Sequence, residues 1–337
     1  NTVLMDETGN SLISIQTGTI IAAIFIIAYT MLAGLVSVAY TDVANGIIII
    51  FSFVIAIPIF LAQAGGFSGM AASFEAMGKP EHMNFFGVYS TMDIFNFCLP
   101  PFLLIMGDAN MYQRFFASKN AKGAEQATKV LIFAVLLAEL MIIFSAWVVS
   151  SMIPDAEVGK YVLIYAAHKL LPTFLGAIMM TTIVGIIIST ADSFLLVPAT
   201  TLMRDVYLNY INPKANEKKI VLLSRVLVLG LGIIAYIVSL GFAKSSGFFE
   251  RALYAYTIYG AAITPSLVAA LFWKRATKEG AVVSILTGTV TTLLWKEAAF
   301  IQNIIPQNIY NNMDEVLPAI TLSVVSLVVV SLLTKKN

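Results

Sequence analysis

The chain has 337 residues, of which 59% are hydrophobic and only 12% charged, and its mean hydropathy is +0.87. A soluble domain carries about twice that share of charge, so the composition is that of a polytopic membrane protein. With 20 basic and 19 acidic residues spread thinly between apolar runs, no nucleic-acid surface is expected. One cysteine, Cys98, and two histidines, His82 and His168, exclude a disulfide framework or a Cys/His zinc cluster. Both histidines lie outside the apolar runs, which argues against a membrane enzyme with a nucleophile and base at depth.

The first sixteen residues, from Asn1 to Gln16, are polar and acidic, with neither a basic leader nor an apolar signal core. They read as a loop entered mid-protein, so earlier spans are expected upstream of this chain. A bilayer core of about 30 Å takes about 20 apolar residues per helix. Residues 18–64 hold one charge, Asp42, over 47 positions, which predicts two spans with a turn near 40–45. Further spans are predicted at 95–117, 130–152, 174–202, 220–243, 252–273, 281–295 and 316–333, nine in all, with an interfacial helix over 155–170. Placing the N-terminus outside puts fourteen of the 20 basic residues on the inner side, so the predicted topology is N-out, C-in. The strand alternation of an outer-membrane barrel is absent, and the fold class expected is an all-α membrane helix bundle.

Ionisable residues inside a bilayer cost about 3 kcal/mol at mid-helix, so each needs a reason. Asp192 sits among Ser189, Thr190 and Ser193 in the 174–202 run. At about 100° per residue these four fall within half of the helix circumference. Such an oxygen-only set suits a hard cation such as Na⁺, unless the hydroxyls bond back to their own helix. Asp42 follows Thr41, and either an N-cap for a helix starting at Val43 or an ion ligand fits the position. Glu139, mid-span, is a candidate proton carrier, and Asp108, six residues before Arg114, reads as a structural charge. Pro100, Pro101 and Gly107 weaken the 95–117 helix, which is expected to break near the prolines, as spans lining a transporter's midplane site do. Tyr254 reads as an interface anchor, Tyr256 and Thr257 as cavity residues, and Gly230 and Gly232 as close-packing points.

Four separated segments, in order, resemble the sodium:solute symporter family. Tyr40-Thr41-Asp42 is similar to the segment opening that family's fifth core helix, and Gln113-Arg114 to the pair closing the sixth. Residues 188–196 with Arg204-Asp205-Val206-Tyr207 resemble the eighth, and Phe272-Trp273-Lys274-Arg275 with Gly280-Ala281 the junction after the tenth. The resemblance implies the five-plus-five inverted-repeat transporter fold, here one transmembrane domain over 1–337 with core helices four to ten and two C-terminal helices. It implies Na⁺ as the coupling ion, held by Ser189 and Thr190 together with carbonyls of a first core helix outside this chain. It also implies a second cation site at Asp42, Asp192 and Ser193, which tips Asp42 towards the ion role. Pro101, Leu104, Leu253, Tyr256 and Thr257 become substrate candidates. Where sugar carriers have polar or aromatic contacts this chain has Pro100, Pro101 and Leu104, and Leu253 stands for a glutamine, so a sugar is disfavoured.

The expected function is sodium-coupled symport of a small organic solute across the plasma membrane, in a bacterial setting the inner membrane, by alternating access. A transporter-derived solute sensor without net transport is the alternative. The expected partners are the solute and the lipid bilayer, and one copy is expected to suffice for transport.

Overall fold

The computed structural model describes residues 13–154, 161–242, 248–310 and 312–334, and among them every regular element is helical. Eight described helices are long and apolar enough to cross a membrane. The predicted ninth, at 281–295, forms as the 20-residue helix Lys278–Glu297, long enough to span but richer in glycine, threonine and end charges.

The chain falls into two compact units, the first made of the residues up to Phe85 together with Gln113–Ala243, the second of Phe86–Tyr112 together with the residues from Lys244 onward. The first opens with α1 (Ile15–Gln63), capped by Ser14, whose Oγ accepts the Thr17 N–H at 3.1 Å. It contains two spans, Gln16–Gly34 and Ser37–Gln63, of 19 and 27 residues. They meet at Gly34, where φ is 67° and ψ 173°, a backbone conformation that glycine enters without steric cost. The bend puts the Tyr29 hydroxyl 2.9 Å from Thr41 Oγ1, twelve residues on, where a straight helix would hold them about 18 Å apart. The turn expected at 40–45 is therefore misplaced, because glycine rather than a polar pair supplies the bend. Thr41 and Asp42 lie inside the second leg, with Thr41 Oγ1 donating to Val38 O at 2.9 Å, so the N-cap role is not realised.

Around that second leg pack α2 (Gly66–Ala76), α5 (Ala121–Ser150), α6 (Val162–Lys169) and α7 (Thr173–Thr201). Phe53, Phe60, Met70, Phe74, Val148, Val149 and Met179 form a fully buried core among them. Of the interfacial helix expected over 155–170, residues Val162–Lys169 form α6, while 155–160 lie outside the described residues. As predicted, the 174–202 run is one long helix: α7 has 29 residues and continues as a π-helical segment, Leu202–Ile211. In α8 (Glu217–Phe242), a Cβ at Gly232 would meet Ile27 Cγ1 at 2.6 Å, so this glycine lets the first leg of α1 approach, whereas Gly230 has nothing within 4 Å.

The second unit contains α3 (Thr91–Gly107), which Ser90 and Asp93 open with a reciprocal capping box. Helix α3 runs through Pro100 and Pro101 and ends at Gly107, so the interruption expected at the prolines lies instead at Asp108, with φ −67° and ψ 104°. Inside a bundle, neighbouring helices can compensate for the hydrogen bonds that proline removes, whereas an extended residue ends the ladder outright. The short α4 (Ala109–Phe116) follows, and from Gln113 on its residues belong to the first unit. Helices α9 (Phe248–Phe272), α10 (Lys278–Glu297), α11 (Ala299–Ile304), α12 (Gln307–Tyr310) and α13 (Val316–Thr334) complete the second unit.

Candidate functional site

In the first unit, the second leg of α1 and helix α7 run antiparallel along a polar seam. Ser52 Oγ and Thr182 Oγ1 are 2.9 Å apart, Asn45 Nδ2 donates to Gly185 O at 3.4 Å, and Ser189 Oγ donates to Asp42 Oδ1. Spacings of three, four and seven keep these residues on one stripe of each helix. Gly185 is the gap that receives Asn45, since a Cβ there would lie 3.1 Å from Asn45 Oδ1.

The charges gather at the end of this seam nearer the Gly34 bend. Arg114 Nη2, in the last turn of α4, donates to Asp42 Oδ2 at 2.5 Å and to Ser193 Oγ at 3.2 Å. Beside it, Gln113 Nε2 donates to Thr200 Oγ1 at 2.9 Å. The ion pair is only partly screened from solvent, with side-chain exposures of 31% for Arg114 and 23% for Asp42. Asp192 is 1% exposed and accepts from Thr30 Oγ1 of the first leg of α1, itself 1% exposed. Both legs of the bent helix thus bring a side chain to α7, Thr30 to Asp192 and Asp42 to Ser189.

Of the five residues singled out as cation ligands, Asp42, Ser189 and Ser193 are joined through Arg114 and one another. Asp192 is buried close by with its own donor, Thr30. Thr190 is exposed, and its hydroxyl bonds back to Ile186 O at 2.9 Å. Sequence reasoning left out both Arg114 and Thr30. Arg114 stands in the Gln113-Arg114 pair at the inner end of the 95–117 run, where a basic residue reads as topology rather than as a carboxylate partner; a threonine in an apolar helix carries no signal of its own. Among the described residues no three His, Cys, Asp or Glu converge as for a transition metal. Two carboxylates with serine and threonine hydroxyls suit a hard cation instead. Glu139 lies exposed on α5, away from this cluster.

The solute candidates lie in the second unit. Pro101 and Leu104 are half-buried on α3, while α9 carries buried Leu253 and Thr257 with half-buried Tyr256. These two helices touch at glycine: a Cβ at Gly260 would meet Leu103 Cβ at 2.7 Å, and one at Gly107 would meet Thr264 Oγ1 at 2.4 Å. The break at Asp108 is stitched by side chains. Thr264 Oγ1 donates to Leu103 O at 2.6 Å, Tyr259 donates to Gly107 O at 3.3 Å, and the Ala109 N–H donates back to the Tyr259 hydroxyl at 3.2 Å. Non-helical backbone at membrane depth needs such partners. Asp108 itself starts α4, its carboxylate accepting the Asn110 N–H at 3.0 Å, which is the structural role expected of it. Tyr254, expected at an interface, has a buried hydroxyl with no hydrogen-bond partner among the described residues.

This helical architecture is that of an inverted-repeat membrane transporter. A solved structure of a Na⁺-coupled sialic acid symporter, substrate-bound and outward-open, superposes with a TM-score of 0.73, covering 99% of this chain and 70% of that one at 16% identity. Residues 9–288 match the sodium:solute symporter family, and the chain belongs to it. It is 25% identical to the osmoregulated proline transporter of Bacillus subtilis over 95% of this chain and 64% of that protein. It is 24% identical to the sodium/proline symporter of Haemophilus influenzae over 92% of this chain and 62% of that protein. For the Staphylococcus aureus sodium/proline symporter the identity is 26%, covering 95% and 62%. The chain therefore spans a little under two thirds of the length of these relatives. The family is one of transporters rather than enzymes, and the chain is a multi-pass plasma-membrane protein.

Proposed function

We propose that the protein is a sodium-coupled symporter that takes a small organic solute inward by alternating access, one copy sufficing. The observation that carries this is the pair of carboxylates, Asp42 and Asp192, held within spans beside Ser189 and Ser193 in a member of this family. In this reading Ser189 and Thr190 hold the main sodium ion, and Asp42, Asp192 and Ser193 a second cation. For Thr190 this role requires its hydroxyl, exposed and bonded to Ile186 O at 2.9 Å, to offer its oxygen lone pair to the ion together with groups beyond this set. Moving one charge through a membrane potential of 100 mV yields about 2.3 kcal/mol, which is the driving force available per ion besides its concentration gradient.

For the solute we propose a small zwitterionic amino acid, proline being the first to test. The apolar surfaces of Pro101, Leu104 and Leu253 suit a compact apolar body, with the Tyr256 and Thr257 hydroxyls available to its polar end, and similarity to three proline transporters supports the same choice. The test is radiolabelled proline uptake into proteoliposomes under an inward sodium gradient, against potassium as control. Accumulation above equilibrium with sodium alone is expected. Binding of proline and sodium without accumulation would assign the sensor role instead, and no sodium effect would remove the coupling.

A further inference from the structure

The Arg114 guanidinium occupies the position that a cation shared by Asp42 and Ser193 would need. One nitrogen, Nη2, reaches both Asp42 Oδ2 at 2.5 Å and Ser193 Oγ at 3.2 Å, while Ser189 donates to the other Asp42 oxygen. Two oxygens of the proposed second cation site, Asp42 Oδ2 and Ser193 Oγ, are thus organised around a positive charge that belongs to the chain. A sodium ion placed between Asp42 and Ser193 would meet that charge at contact distance, and two like charges cannot share one carboxylate oxygen in a partly dehydrated site. Lys-like point charges hydrate strongly, whereas guanidinium is more weakly hydrated and reaches carboxylates in a fixed fork, so it can leave and return without a large hydration cost.

Resting on the sodium-symport reading, we infer that Arg114 is a tethered competitor of the second cation: guanidinium and sodium alternate on Asp42 and Ser193. The two states differ in what holds the end of α4. With the guanidinium in place, Arg114 ties α4 to α1 and α7, reinforced by the Gln113 bond to Thr200 at 2.9 Å. With sodium in place, the Arg114 contacts to Asp42 and Ser193 are given up while the Gln113 bond to Thr200 remains, so the end of α4 is held by fewer contacts. Sodium binding therefore loosens one short helix, a coupling between ion occupancy and conformation expressed by differential contacts in two states.

The test uses direct sodium binding as well as uptake. Equilibrium binding of ²²Na⁺ to the purified protein is measured for wild type, Arg114→Gln and Arg114→Lys. Removing the competing charge should lower the half-saturating sodium concentration by about fivefold or more in Arg114→Gln, within the usual range of allosteric couplings. Arg114→Lys, which retains the charge but hydrates more strongly, should fall between wild type and Arg114→Gln. A second measurement needs no variant: Arg114 of the wild-type protein is modified with phenylglyoxal and quantified by peptide mass spectrometry. Saturating sodium should raise its modification rate severalfold over choline. Weaker or unchanged sodium binding in Arg114→Gln, the same shift in Arg114→Lys, or protection of Arg114 by sodium would each overturn the inference. Wild-type protein that binds no sodium would instead remove the proposed function on which it rests.

Discussion

Two helix seams, one in each unit, are built from the same small and hydroxyl residues and do different things. Along α10, Gly280, Ser284, Gly288 and Thr292 recur every fourth position and are all buried, and α13 shows Ala319, Ser323, Leu327 and Ser331 in the same rhythm. Ser284 and Ser323 meet hydroxyl to hydroxyl at 2.9 Å, and Ser323 also reaches Ser284 O at 3.0 Å. That seam is closed, neutral and internally satisfied, the usual means by which membrane helices pack closely. The α1–α7 seam also uses Ser, Thr and Gly, at spacings of three and four on α7, but ends in Asp42 and Asp192, the first half-exposed and paired, the second fully buried. Hydroxyl periodicity thus marks packing, and carboxylates that a bilayer penalises mark the candidate ion site.

The packing seam should break most severely. Gly288→Val puts a Cβ 2.4 Å from Ala261 O and 2.8 Å from its carbonyl carbon, both backbone atoms that cannot rotate away. We expect a loss of about 3 kcal/mol or more, read as a lower melting temperature and a lower folded yield in detergent. Gly46→Ala in α1, with nothing within 4 Å, is the matched control and should gain about 0.5–1 kcal/mol. The charged seam should respond in function first. Asp192→Asn keeps hydrogen bonding to Thr30 and should weaken the sodium dependence of uptake far more than thermal stability, whereas Glu139→Gln should leave the sodium curve in place. Thr30→Val leaves the Asp192 carboxylate without its threonine donor and should cost about 1–3 kcal/mol. An unchanged sodium curve in Asp192→Asn would make Asp192 a packing residue.

How far these seams can be read from sequence follows from the range of the forces involved. Eight of the nine expected spans, the long α7 and a short helix at α6 follow from apolar run length, which is a local quantity. The bend of α1 was misplaced because Thr41 and Asp42 resemble a cap while a lone glycine, Gly34, carries no equal signal; only its positive φ reveals it. The prolines point to a break at Pro100–Pro101, whereas the helix ends at Gly107, where Thr264 and Tyr259 of α9 hold Leu103 O and Gly107 O. Those partners lie some 150 residues away in sequence. Arg114 and Thr30 were missed for the same reason: each acquires its role from a carboxylate 72 or 162 residues distant.

A smaller effect is expected where carboxylates lie outside both seams. Glu315, just before α13, is buried, and burial holds its carboxyl above the ordinary range although Lys296 lies 3.9 Å away; Asp314 is raised likewise by burial. A folded carboxyl that holds its proton above the unfolded value of 4.5 adds stability at acidic pH, and that contribution is lost as pH rises through the folded value. Glu315→Gln should therefore flatten the fall of melting temperature between pH 4.5 and neutrality, with little change at pH 4.5. A steeper fall in the variant would mean that the Lys296 pair outweighs the burial.

The smallest effect concerns the neutral seam itself and decides whether its hydroxyls stabilise or merely fit. Ser284 and Ser323 are both fully buried, so each can satisfy the other, and removing one leaves its partner the choice of an i−4 carbonyl on its own helix. That alternative limits the loss. Double-mutant cycles across membrane helices average about 0.6 kcal/mol per hydrogen bond, because the separated helices also find partners. Ser284→Ala, Ser323→Ala and the double variant should give a coupling of about that size by thermal or denaturant unfolding in detergent. A coupling near zero would mean that α10 and α13 are held by close approach at Gly280, where a Cβ would lie 2.0 Å from Ser331 Oγ, and that serine is present there for its size alone. A coupling of about 2 kcal/mol or more would instead place the neutral seam beside the charged one, as a contact the protein cannot exchange for a local bond.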